Sequence, residues 1–126
     1  MAHDLGTTGD KATLFSQTGS LVASSFAGYE TFYPGPGMVE QDPEAWWTAF
    51  CKTTSEIVQM AEIDRKEISA LSISGQMMAV VPVDRSGKLL RRSIIWADSR
   101  SSEQVRELLA KVPASDLYKI TGSRLS

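Results

Sequence analysis

Positions 4–9 read Asp4-Leu5-Gly6-Thr7-Thr8-Gly9, and no other stretch limits so tightly what this chain can fold into. One acidic residue, two glycines and two hydroxyls fall within six places, with Leu5 the sixth residue. Met1, Ala2 and His3 lead in, and the β-type run Lys11 to Phe15 follows at once. Glycine lets a backbone approach a phosphate closely and leaves N–H groups to point at the anion. The Thr7 and Thr8 hydroxyls add donors. An aspartate beside phosphate would repel it, so Asp4 makes sense as a partner of Mg²⁺, directly or through water. The six residues suit two structures equally. One is a hairpin turn that holds the phosphates of a Mg-nucleotide; the other is a polar β-turn joining two strands. Lys11 adds positive charge in the first and is a solvated strand residue in the second.

The strand pattern continues beyond this turn. Ala12 and Leu14 alternate with Thr13 and Phe15, Thr18-Gly19 supplies a turn, and Leu21 to Phe26 reads as the returning strand. A second unit repeats the chemistry. Ala79 to Val83 leads into Asp84-Arg85-Ser86-Gly87, and Leu89 to Ile95 returns, with Pro82 arguing for an edge or a bulge. In both hairpins the glycine before the second strand predicts a positive φ. Between them lies a Pro/Gly-rich loop, Tyr33 to Gly37, and then a helix. Asp42 suits its N-cap and Pro43 its first position. Trp46, Trp47, Phe50, Thr54, Ile57, Val58 and Ala61 are read as its core-facing stripe, with stacking on a sugar as the minority role for the two tryptophans. Ile68 to Ser74 has apolar residues on both sides and reads as a central strand covered on both faces. Val105, Leu108, Leu109 and Val112 mark a helix from about Ser101 to Lys111 that Pro113 ends. Strands and helices in this order give an α/β class with a mixed sheet.

At 126 residues the chain is one domain at most, long enough for a usable core. A net charge of −2 gives no reason to expect nucleic-acid or anionic-membrane binding. No apolar run approaches the length of a membrane span, and with Met1-Ala2-His3 leading straight into the Asp4 turn no signal peptide is expected. The lone Cys51 cannot form an internal disulfide, which suits a reducing cytoplasm. Inside the predicted helix it reads as a small packed hydrophobe and not as a nucleophile. One His and one Cys cannot assemble a soft-ligand metal cluster. His3 reads as structural.

Three further stretches carry polar residues in places that matter. Ser74-Gly75-Gln76-Met77-Met78 ends the predicted central strand, and ligands in α/β sheets gather beyond strand ends. Gly75 permits close approach, and the Gln76 amide both donates and accepts. Without further context Met77 and Met78 read as core filling. In Trp96-Ala97-Asp98-Ser99-Arg100, Asp98 suits a helix cap and Arg100 a carboxylate pair. Glu40-Gln41-Asp42 reads as a tie between the long loop and the helix start.

Four stretches, in this order, resemble the FGGY carbohydrate kinases, and their xylulokinase-like branch in particular. They are Asp4 to Gly9 with Lys11-Ala12, Pro36-Gly37-Met38-Val39-Glu40-Gln41-Asp42-Pro43-Glu44 with Trp46-Trp47, Ser74-Gly75-Gln76-Met77, and Ile95-Trp96-Ala97-Asp98-Ser99-Arg100. The likeness runs from Asp4 to about Arg100, and more weakly through Tyr118 to Ser126. It implies the actin-like, ribonuclease-H-like fold, a mixed sheet with flanking helices, in two domains with sugar and ATP between them. Residues 1–126 would then be part of the N-terminal domain, an incomplete domain cut at both ends, with the ATP-binding C-terminal domain absent.

The resemblance implies ATP-dependent phosphorylation of a sugar or polyol hydroxyl. It places Asp4 near Mg²⁺, and Gly6, Thr7, Thr8 and Lys11 at the ATP phosphates. In xylulokinases the third stretch reads Ser-Gly-Gln-Met-His and its last two residues contact the sugar. That points here to Met77 and Met78, beside Gln76, and Met78 departs from the pattern because a thioether donates no hydrogen bond. Asp98 and Arg100 would organise the sugar side of the cleft. The family's general base, an Asp, lies beyond Ser126, so this chain alone is expected to be catalytically silent, poorly stable and prone to self-association. A cytoplasmic enzyme is implied, with homodimer formation left open. A gluconokinase- or glycerol-kinase-like member is the nearest rival. An actin- or Hsp70-like nucleotide module would share the first hairpin but has no need of Ser74 to Met77 or Trp96 to Arg100. A stand-alone non-catalytic domain requires a gene ending at Ser126.

Overall fold

Alternate residues of β2 (Gly9–Phe15) decide which side of the sheet is covered. Asp10, Ala12 and Leu14 are buried, and Lys11 and Phe15 are exposed. That is the period of two of a strand with one face against a helix. The computed structural model describes residues 1–125, so Ser126, where the resemblance ends, lies outside them. β2 pairs antiparallel with β1 (Ala2–Leu5) and β3 (Leu21–Gly28), and β1 pairs parallel with β6 (Ser72–Gly75). The result is a mixed sheet in the order β3-β2-β1-β6. A smaller sheet has the order β4 (Thr31–Phe32), β5 (Glu40–Gln41), β7 (Ser93–Ile94). The expected α/β class with a mixed sheet is the one that forms.

The first hairpin follows its turn chemistry, with Gly19 at φ 82°. The second keeps its turn, with Gly87 at φ 84° and Asp84 Oδ1 accepting from Ser86 N (2.8 Å) and Lys88 N (3.0 Å). Its two predicted strands shrink to the bridges Val80–Ile94 and Val83–Leu89 and to short β7. Pro82 has no N–H to give a ladder, which is a physical reason for the interruption.

α1 (Pro43–Met60) starts as expected, Asp42 accepting from Glu44 N at 3.0 Å. It packs across β2 and β3. Its buried line is Ala49, Thr53 and Ile57 rather than the larger stripe, and Trp47 is 62% exposed. The helix is rotated so that small residues at four-residue spacing meet the sheet, which brings the helix close to it. Trp47 instead stacks on Phe50, centroids 5.4 Å apart. Cys51 is exposed on this helix and not packed, because it falls on the side away from the sheet.

Ala12, Leu14 and Ile57 form the core cluster, with Met1, Ala23 and Ile68 among those packed on it. His3 is buried in its floor, Nδ1 2.9 Å from Asp10 Oδ2 and the ring 4.2 Å from Phe50. The Thr53 hydroxyl donates to the same Asp10 oxygen. Both bonds fall on Oδ2, and Asp10 Oδ1 is buried with no partner among the described residues. His3 is structural, as read from the sequence.

β1 is a full partner of β2 and β6 despite its short lead-in. β6 is the edge of the described sheet and not its centre, with Leu71 47% and Ile73 58% exposed. α1 packs chiefly on β2 and β3, away from this edge strand. α2 (Ser102–Lys111) and α3 (Ala114–Thr121) follow, divided by Pro113 as the sequence suggests. Ser101, not Asp98, occupies the N-cap position of α2. Among the described residues no helix is long and apolar enough to cross a membrane.

Candidate active site

The Asp4 loop is a tight turn between β1 and β2. Gly6 N donates to Gly9 O at 3.0 Å, so the Gly6 N–H closes the turn and is not free for an anion, contrary to the sequence reading of its glycines. Thr7 and Thr8 fill the tip, and no described acceptor meets their backbone N–H groups. The Tyr29 hydroxyl donates to Gly6 O from β3's end. Partial burial, then the charges of Asp10 and Asp4, push the Tyr29 hydroxyl up to about 12, so it stays a donor. At Gly9 a Cβ would strike the Phe26 ring and come within 2.5 Å of Ala27 O, so only glycine fits.

Asp4 is exposed and faces Lys11 on β2 and Ser74 on β6 in register. Gln76 N donates to Leu5 O at 2.9 Å, which carries the β1–β6 pairing one step past Gly75. The chain then turns out of the sheet. Met78 takes φ 59°, a left-handed conformation that a side chain such as methionine rarely adopts. Met77 and Met78 are 75% and 69% exposed, so neither fills the core.

These placements bring three of the four sequence stretches to one cleft of ≈ 410 Å³. Asp4, Gly6 and Thr7 form one wall, and Gly75, Gln76, Met77, Met78 and Trp96 the other. Asp98 and Arg100 line an adjoining cavity of ≈ 510 Å³ that shares Met78 and Trp96. Thr8 and Lys11 stand outside the cleft lining, Lys11 exposed beside Asp4 on the next strand.

Three side-chain links lock the walls together. Trp96 Nε1 donates to Thr7 Oγ1 at 3.0 Å. Gln41, fully buried, donates through Nε2 to Thr7 O and Thr31 Oγ1, both at 2.7 Å. Its Oε1 accepts from Trp46 Nε1 at 3.0 Å and Gln76 Nε2 at 2.8 Å. Behind the second cavity, Arg100 pairs with Asp98 at 2.7 Å and with Glu40 at 2.8 Å, and Arg91 pairs with Glu40. Asp98 Oδ2 also accepts from Val39 N at 2.6 Å. The Arg100 hydrogen bonds hold the Asp98 carboxyl down at about 2 and push the guanidinium up. Arg100 pairs with carboxylates as the sequence suggests, while Asp98 anchors a loop instead of capping a helix. The roles of Gln41 and Trp96 were not legible, since Gln41 reads as a loop tie and its partners lie 34 and 35 positions away.

The donor set fits a metal-bound phosphate in a specific sense. Asp4 offers one exposed carboxylate in the same cleft as the Thr7 hydroxyl, with Thr8 next in the turn. No group of three or more His, Cys, Asp or Glu able to hold a metal exists among the described residues. Magnesium keeps most of its water and phosphate ligands and asks for only one or two carboxylates.

Comparisons with known proteins give the family. The family model for the N-terminal domain of the FGGY family of carbohydrate kinases matches residues 1–126. A xylulose kinase of Staphylococcus epidermidis is 37% identical over 123 residues, 98% of this chain and 23% of its own. A gluconokinase of Bacillus subtilis is 35% identical over 120 residues, 95% of this chain and 23% of its own. The crystal structure of Plasmodium falciparum glycerol kinase with ADP superposes with a TM-score of 0.88 at 27% identity, covering 98% of this chain and 25% of that one. The chain thus spans about a quarter of the length of the curated relatives it matches. Its fold is the actin-like one of these kinases. The chain belongs to the FGGY family of carbohydrate kinases.

Proposed function

We propose that the protein carrying this chain transfers a phosphoryl group from ATP to a hydroxyl of a small sugar or polyol. The observation that carries this reading is the shared cleft, in which Asp4, Gly6 and Thr7 face Gln76, Met77 and Met78. Phosphoryl transfer asks chiefly for positioning and charge stabilisation, and one wall suits each partner. The hydroxyl oxygen attacks the γ-phosphorus in line, the bond to the β-phosphate oxygen breaks, and ADP leaves with inversion at phosphorus. The hydroxyl proton would pass to a carboxylate base, which this reading places outside residues 1–126. Mg²⁺ would neutralise the phosphates, and Asp4 would hold it directly or through water. Thr7 and Thr8 would donate to phosphate oxygens, with Lys11 lending charge from the neighbouring strand. Asp98 and Arg100 act indirectly, by fixing the loop that carries Trp96. The lone Cys51 suits a cytoplasmic enzyme.

Within this class we favour a xylulokinase-like enzyme whose sugar preference is altered at Met78. A gluconokinase- or glycerol-kinase-like preference is the second reading, favoured by Met78 itself, which offers no donor to a sugar hydroxyl. The test is ADP release by the longest natural polypeptide that carries this chain, screened with pentuloses, polyols and aldonates. Release that depends on one of these compounds supports the reading, and release indifferent to all of them contradicts it.

A further inference from the structure

Gln41 belongs to neither wall of the cleft, yet it touches both. Its amide has four partners, which is all an amide side chain of this geometry can comfortably serve. Two of the four can act in only one way. Thr7 O accepts and never donates; the Trp46 indole N–H donates and never accepts. Together they fix which end of Gln41 is nitrogen and which is oxygen, so the assignment does not depend on choice. Gln76 must then present its NH₂ to Gln41 Oε1. It holds that orientation although its own Oε1, buried, has no partner among the described residues. The orientation of Gln76 is therefore imposed from Gln41. At the other end, the same amide holds the carbonyl of Thr7, the residue at the tip of the Asp4 loop.

We propose that Gln41 is a positioning residue that couples the two walls: one buried amide sets both the Thr7 backbone facing the nucleotide phosphates and the Gln76 side chain facing the sugar. This rests on the kinase reading given above. Gln41 touches no reacting atom and acts through Thr7 and Gln76. Its length matters as much as its polarity, since beyond the β1–β6 backbone pairing the described side-chain bonds between the two walls run through it and through the Trp96–Thr7 bond.

The two ends of the amide can be separated by substitution. Gln41→Glu keeps an acceptor for Trp46 and Gln76 but sets a carboxylate oxygen against Thr7 O. Gln41→Met removes both functions at similar volume. The longest natural polypeptide carrying this chain is used, with calorimetric Kd values for ADP alone and for the best substrate among D-xylulose, glycerol and gluconate alone, beside kcat. Gln41→Glu is expected to weaken ADP about tenfold and leave the sugar Kd within about threefold. Gln41→Met is expected to weaken both about tenfold. If either protein fails to fold, Trp46→Phe serves, because it removes only the donor that orients Gln41; both Kd values should then rise about threefold. Variants that melt lower but bind both ligands as the parent does would overturn the proposal alone. A parent without sugar-dependent turnover overturns the kinase reading and the proposal with it.

Discussion

Trp96 Nε1 donates to Thr7 Oγ1 at 3.0 Å, joining residues 89 positions apart in the chain. The bond ties the loop after β7 to the tip of the Asp4 loop. It also uses a lone pair of the Thr7 hydroxyl and leaves its proton to donate into the cleft.

Trp96→Phe removes that tether while keeping an aromatic ring. Trp96 is 53% exposed, so little core packing is lost. The ADP Kd should weaken about three- to tenfold with the melting temperature almost unchanged. Calorimetry and a thermal melt on the same sample check it. Parent-like ADP affinity would remove Trp96 from the positioning of the loop.

A role for Met78 in sugar choice is part of the proposed function. Met78→His places a donor where the thioether has none, and histidine tolerates the left-handed φ of 59° better than most side chains. The kcat/KM for xylulose relative to the parent's best substrate should rise by about tenfold or more. An unchanged substrate profile would mean that Met78 shapes the loop and not the pocket.

Acid should unfasten the Glu40–Asp98–Arg100 cluster. Asp98 sits at about 2 in the folded protein because Arg100 hydrogen-bonds to it, below its ordinary value of 3.8. A depressed carboxyl adds stability that is present above the ordinary value and is lost as pH falls through the folded one. Asp98→Asn should therefore melt below the parent at pH 6, and the gap should close between about pH 4 and 2. Thermal melts of both proteins across that range test it, and a gap that persists at pH 2 would contradict it.

Local chemistry was legible in the sequence and nonlocal geometry was not. Gly19 and Gly87 announce their turns, and Asp42-Pro43 announces the start of α1, because each acts on its own few residues. The rotation of α1 was misread. Periodicity marks Trp46 and Trp47 as apolar, but only the closeness of sheet and helix selects Ala49 and Thr53 as the contact. β6 looks buried because its composition is apolar on both sides, yet its neighbours decide burial and it has only β1. At the site, the residue types of Asp4, Gln76 and Met78 were visible as motifs. Gln41 was visible as a letter in a motif, but its tie to Thr7 and Gln76 exists only after three distant segments have folded together.

We propose that ATP meets a sugar hydroxyl in the Asp4 cleft. Sugar-dependent ADP release from the longest natural polypeptide carrying this chain, compared with its Asp4→Asn variant, tests this. Release stimulated by one sugar or polyol is expected in the parent. A fall of about 10²-fold or more is expected in the variant, the scale of losing one strong electrostatic stabiliser, with the melting temperature retained because Asp4 is exposed. Release that ignores every sugar, or a variant that turns over as fast as the parent, would contradict it.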